Sequence, residues 1–257
     1  ALAPVVIVPL ILWFGWRGMF QILGIVGLVY VFFYALFVKQ TKPQEETKED
    51  KSKKNKYFMH LLKFSLIWKL ILCAFCISCI NKGLDAWMPT YLIAERGINL
   101  KAVGYLTPIP FIASFLSTAV CGWVMNKYFD KKENWMIVIC AAMTAIFLYF
   151  MYNAETIMWV VIFQCGVYFF KACILGTAVA IVLKIVTGSI AGSASTLINM
   201  GGQVAGFISP IIMGYLVYAF NGSFNAVFYY LMGVATLCAI SALLIPTRKE
   251  DMLDLEK

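Results

Sequence analysis

One stretch constrains this chain more than any other. Trp68 to Leu92 (WKLILCAFCISCINKGLDAWMPTYL) is 25 mostly apolar residues, enough to cross the ~30 Å hydrocarbon core of a bilayer as one helix. Its middle nevertheless carries Asn81, Lys82 and Asp85, with Trp87, Pro89 and Tyr91 just beyond. A charge at the bilayer centre costs about 2.5–3.5 kcal/mol on insertion scales, so such groups face a bundle interior or a wet cavity. Lys82 and Asp85 stand three residues apart, which directs both to one side of a helix and lets them partly neutralise each other. Two readings follow: groups that line a path for ions or polar solutes, or a buried pair that only holds helices together. The rarity of ionisable groups inside membranes favours the first.

The rest of the chain has the same character. It is 62% apolar and 13% charged, against about 25% charged residues in a soluble domain. With no water to satisfy the backbone, such runs fold as helices, and the expected class is an all-α polytopic membrane protein. The eight cysteines all fall in apolar runs. Cys73, Cys76 and Cys79 recur every third residue, as thiolate ligands do, but no histidine accompanies them and an apolar setting disfavours thiolate. They read as small packing residues, with neither a metal site nor a disulfide framework expected. The net charge of +8 sits in loops beside the apolar runs, which is the positive-inside pattern and not a nucleic-acid groove. Ala1 opens inside an apolar run with no basic leader, so the chain reads as the downstream part of a longer protein.

Residues 1–38 read as one and a half spans: the second half of a span to Phe14, a corner at Gly15-Trp16-Arg17, then a full span from Met19 to Val38. Composition then changes. Residues 39–66 begin with KQTKPQEETKEDKSKKNK, which has no apolar periodicity and reads as a solvated linker. Tyr57 to Phe64, which includes the single histidine His60, suits a short interfacial helix. Residues 67–246 divide into six spans, and residues 247–257 form a polar tail. Placing the linker, the Asn126–Asn134 loop, the Lys184 end of the Ile157–Ile185 span and the tail on the cytoplasmic side puts 15 of the 21 Lys and Arg residues there. Three lie in the opposite loops and three (Lys69, Lys82, Lys171) within spans, which sets the expected orientation. The expected location is the cell membrane, multi-pass, with the lipid bilayer as the main partner.

Two further spans carry polar groups. Lys171 lies midway along Ile157 to Ile185, too deep to snorkel easily, and Gln164 seven residues earlier shares its face. A primary amine there is a counter-charge for a carboxylate or phosphate, or the partner of an acid such as Asp85. The span Gly188 to Ala219 is rich in small residues, and Ser195, Asn199 and Gln203 form a stripe spaced by four. Amides facing lipid are costly, so this stripe points to a polar lining, whereas the glycines of Gly188/Gly192 and Gly202/Gly206 read as close-packing positions. No nucleophile-and-base set, phosphate loop or dinucleotide fingerprint occurs, so neither an enzyme nor a cofactor is expected.

Four segments carry a resemblance. APVVIVPLILWFGWRGMF (Ala3 to Phe20) resembles the fifth-to-sixth helix corner of the major facilitator superfamily. WMPTYLIAERGINLKAVGYLTPIPF (Trp87 to Phe111) is similar to the seventh-to-eighth helix junction of its anion:cation symporter and organophosphate transporter group. GWVMNKYFDKK (Gly122 to Lys132) resembles the superfamily's cytoplasmic loop motif, with Asn126 in place of the usual Asp. AGSASTLINMGGQVAGFISPIIMGYL (Ala191 to Leu216) resembles the eleventh helix. The resemblance implies a major facilitator-type six-helix bundle preceded by half of helix 5 and helix 6, and an N-terminal half of the same protein as partner. Where organophosphate members have a seventh-helix Arg facing phosphate, this chain has Asn81, with Lys82 adjacent. That departure favours a sugar acid or related carboxylate over a sugar phosphate, and Asn199 matches an eleventh-helix Asn that contacts substrate in sugar-acid members.

The expectation is a secondary transporter of a small organic anion, driven by proton or cation symport. Its substrate-binding residues are Asn81, Lys82, Trp87, Tyr91, Gln164, Lys171, Asn199 and Gln203, with Asp85 as the proton carrier. Two alternatives stand beside it: a sensor that binds a sugar phosphate without net transport, and a multidrug exporter. Two lysines against one acid weigh against a cationic substrate.

Overall fold

The computed structural model describes residues 3–37, 62, 65–130, 132–185 and 190–245. The linker to Lys56, most of the interfacial segment with His60, and the polar tail lie outside the described residues.

Among the described residues eight helices follow one another: α1 (Ala3–Phe37), α2 (Ser65–Ala94), α3 (Leu100–Leu106), α4 (Pro108–Tyr128), α5 (Glu133–Tyr152), α6 (Ile157–Ile185), α7 (Ile190–Ala219) and α8 (Asn225–Leu243). No strand occurs among the described residues. Counting α3 and α4 as one, seven of these are long and apolar enough to cross a membrane, and the multi-pass, all-α expectation holds. The corner expected at Gly15 is a break inside α1: Gly15 takes φ 69° and ψ 172°, which a side chain would resist.

Local chemistry ends the other helices. Asn99 caps α3, its Oδ1 accepting from the Ala102 N–H at 2.8 Å. Thr107 stands between α3 and α4, where Pro108 cannot donate to the preceding turn. The Asn-Gly turn after α7 is a left-handed helix cap, with Asn221 at φ 53°. The Gly222 N–H reaches back to the Val217 carbonyl at 2.8 Å and the Asn221 N–H to Tyr218 at 3.3 Å.

The six-helix unit is built around α2, which packs along α7 and α8 and touches α6; α5 joins α6 to α8, and α4 lies against α6. Glycine makes the α2/α7 approach close. A Cβ on Gly202 would stand 2.7 Å from Ser78 Oγ, and one on Gly201 2.8 Å from the Ile71 side chain. The Ser209 hydroxyl of α7 donates to the Cys79 carbonyl of α2 at 2.8 Å. On the other side of α2, Cys73 and Cys238 of α8 bring their sulfurs to 3.7 Å. The cysteines thus serve as small buried packing groups, and only Cys165 is partly open.

Polar contacts tie the two ends. At one, the Arg96 guanidinium donates to Tyr91 Oη (2.8 Å) and the Ala154 carbonyl (2.7 Å), while Glu95 accepts from the Phe224 N–H at 3.3 Å. Three loops are joined there. At the other, Lys184 pairs with Glu133 at 2.8 Å and Asp130 at 3.4 Å, and Glu133 raises the Lys184 pKa above the ordinary lysine value.

Two outcomes test this packing. Gly202→Val should lower the unfolding temperature in detergent, because overpacking costs about 1–3 kcal/mol. Gly192→Ala, with open space where its Cβ would go, should not; melts followed by circular dichroism compare them. Lys184→Ala should cost less than about 1 kcal/mol, as exposed pairs do. Because the Lys184 pKa is raised, that contribution should be constant through neutral pH, present below 10.5 and lost as pH climbs beyond it.

Candidate functional site

The site grows from the middle of α2. Lys82 and Asp85 lie about 60° apart around the helix axis, and that offset sends them to different neighbours. Lys82 leans toward α7, where a Cβ on Gly206 would stand 3.2 Å from its Cγ. Asp85 leans toward α6. Its Oδ1 accepts from Tyr168 Oη at 2.6 Å and from Lys171 Nζ at 3.4 Å. The Lys171 ammonium also sits over the Tyr168 ring, 3.3 Å from the centroid, where the ring's negative face attracts it.

The expected Lys82–Asp85 neutralisation is therefore corrected. Asp85 pairs across the helix interface with Lys171, and no Lys82–Asp85 ion pair forms. Burial decides the choice. The Lys171 side chain is only 4% exposed, so without an anion its charge would be left uncompensated at a cost of several kcal/mol. Lys82 is exposed, so its neighbours do not shut it in. Asp85, 31% exposed, is the more accessible member of the pair.

Tyr168 is the residue sequence reasoning missed. It stands three positions before Lys171 in a run of aromatics (VYFFK), and only its hydroxyl distinguishes it from the phenylalanines beside it. Helix α4 holds it in place. Phe111 packs edge-on to its ring at 5.2 Å between centroids, and the Ser114 hydroxyl donates to the Tyr168 carbonyl at 2.9 Å.

The remaining candidates divide. Asn81 is half-buried, one turn before Asp85 and on its side of α2. Asn199 and Gln203 are exposed, and their spacing of seven and three from Gly206 puts them on the side of α7 that Lys82 crosses. Gln164 is buried at 2% exposure, two turns before Lys171 on the same face of α6. Trp87 is half-buried and acts as a bracket: its Nε1–H donates to the Pro210 carbonyl of α7 at 3.0 Å. Tyr91 stands apart. It is 4% exposed, packed edge-on against Phe224 and Phe228 of the α7–α8 turn and α8, and its hydroxyl is taken by Arg96. Among the described residues no cluster of histidine, cysteine and acidic groups could hold a metal ion.

The arrangement is an exposed ammonium, a buried ammonium held by a reachable carboxylate, and an amide-bearing stripe, all within apolar helices.

Residues 1–170 match the Major Facilitator Superfamily. The chain is 26% identical over 179 residues to the probable galactarate/D-glucarate transporter GudP of Escherichia coli (strain K12), covering 66% of this chain and 38% of that protein. It is 27% identical over 165 residues to the probable sulfoacetate transporter SauU of Cupriavidus necator, covering 60% and 37%. The chain thus spans about two fifths of the length of these relatives. In fold it is similar to a bacterial homologue of the human lysosomal transporter Spinster in an inward-facing, unoccupied conformation, with a TM-score of 0.67 and 14% identity over 94% of this chain and 60% of that one.

A cysteine placed at Lys82 should react readily with a water-soluble maleimide, and one at Gln164 about tenfold more slowly or less, because burial blocks access and suppresses thiolate. Labelling rates in membranes, corrected for the parent protein's own cysteines, check this.

Proposed function

Because the chain belongs to the Major Facilitator Superfamily, we propose that it is part of a secondary active transporter of a small organic anion, a sugar acid or related carboxylate, coupled to protons or cations by alternating access. The observation that carries this reading is Lys82: an exposed side chain in mid-helix, with no ion pair among the described residues, whose stem crosses Gly206 of α7, the helix that also carries the exposed amides of Asn199 and Gln203. A cation in that position draws an anion, and the amides suit hydroxyl groups on it. The names of the relatives, transporters of galactarate, D-glucarate and sulfoacetate, support an acidic substrate.

Lys82, Asn81, Asn199 and Gln203 form the binding face, Trp87 and Tyr91 hold the end of the bundle beside it, and Gln164 and Lys171 lie behind it. Asp85 carries the coupling proton. An N-terminal helical half of the same protein closes the cavity from the other side. The Asp130 end of the bundle faces the cytoplasm, as its basic loop directs.

Uptake by the full-length protein in proteoliposomes tests this, with labelled D-glucarate and sulfoacetate as probes. At least one should accumulate, and Lys82→Gln and Asn199→Ala should each reduce uptake at low substrate by about tenfold or more, the worth of one hydrogen bond to a charged group. If neither change altered binding or transport of any anion, the assignment would be wrong. Binding without accumulation would point to a sensor.

A further inference from the structure

A cavity of about 310 Å³ opens between α1 and α3, and none of the candidate site residues lines it. A glycine brings its two walls together. A Cβ on Gly104 of α3 would stand 2.9 Å from the Val8 side chain of α1, so the absent side chain lets the helices meet there. Leu12 and Trp13 line the cavity from α1, Lys101 and Tyr105 from α3. We propose that it binds the phosphate headgroup of an anionic phospholipid. Lys101 is the counter-charge, and Trp13 and Tyr105 lie against the glycerol and the upper acyl chains. The proposal concerns how the chain sits in the bilayer and does not rest on the transporter reading.

Composition, depth and exposure point the same way. The lining joins one cation to two amphipathic rings, and no acid among the described residues lines the cavity. Tryptophan and tyrosine belong at the headgroup level of a membrane, and a lysine there lays its stem on apolar surface while the ammonium stays among polar groups. A phosphate supplies the negative charge that this lining lacks. Both walls also reach the cavity beside polar turns. Lys101 follows closely on Arg96, which gathers the loops at that end of the bundle, and on the Asn99 cap. Trp13 lies just before the break at Gly15, with Arg17 beyond it. Trp13 is 78% and Tyr105 59% exposed, which leaves broad apolar ring faces for acyl chains to cover.

The competing occupant is another helix, since the chain spans about two fifths of the length of its relatives. Size and chemistry both disfavour it. One helical turn, ~10 Å across and 5.4 Å in rise, fills about 400 Å³, more than the cavity holds. Helices in lipid also approach each other through small residues, whereas a lysine and two large rings line this opening.

The test replaces Tyr105 of the full-length protein with photoreactive p-benzoylphenylalanine and irradiates it in vesicles of phosphatidylglycerol or of phosphatidylcholine. Mass spectrometry of the intact protein and its peptides then identifies what is captured. A phosphatidylglycerol adduct is expected, with a yield about fivefold above that of phosphatidylcholine. Lys101→Gln should lower that yield about fivefold, the effect of one lysine at an anionic surface. Lys184→Gln, at the other end of the bundle, should leave it unchanged. Lys101 and Tyr105 are both exposed, so the fold tolerates both changes. Equal capture of the two lipids, a yield indifferent to Lys101→Gln, or the same fall in both lysine variants overturns the proposal. Crosslinks to another segment of the protein, without lipid adducts, also overturn it and assign the cavity to a further helix.

Discussion

An ammonium group shut inside apolar helices must have an anion, and the position of Lys171 makes that demand in the centre of this bundle. The residues that meet it, Asp85 on α2 and Tyr168 beside it on α6, draw these two helices together at the level of the site. The demand also explains why Lys82 stays free of Asp85. One carboxylate is available, and desolvation penalises the lysine that cannot reach water far more than the one that can.

The packing of α7 against α2 works in the opposite sense. It is made of small groups, with Gly201 and Gly202 nearly in contact with Ile71 and Ser78 and Ser209 bonded to a backbone carbonyl. Where helices cannot be driven together by expelling water, close van der Waals approach and a few hydrogen bonds must suffice. The same closeness has a consequence for the site. Because Gly206 has no side chain, the Lys82 stem can lie across it. One helix interface thus sets both the rigidity of the unit and the place of its exposed cation.

The two ends of the bundle are held by charges that water already surrounds, and their contributions are correspondingly small. Arg96 differs from Lys184 in that it gathers backbone carbonyls and a tyrosine hydroxyl from elements far apart in the chain. Its fork of donors is suited to that. Tyr91 belongs to this end-piece, which accounts for its distance from the polar cluster despite lying only six residues after Asp85.

Much of the architecture was legible along the chain. Helix spans follow from runs of apolar residues, since in lipid a helix is the structure that satisfies its own backbone. The turns at Asn99 and Asn221-Gly222 follow from local turn chemistry. The polar middle of α2, the depth of Lys171 and the four-residue stripe through Asn199 and Gln203 were visible because helical periodicity is a property of sequence order. Which groups pair is not. The three-residue spacing of Lys82 and Asp85 suggested a partnership that a residue 86 positions later takes over. Tyr168 looked like any aromatic in an apolar run, and Tyr91 looked like a lining residue. Those assignments depend on the rotation of each helix against its neighbours and on which side chains that rotation shields from water. Both are set by contacts between segments remote in sequence, and only the tertiary structure decides them.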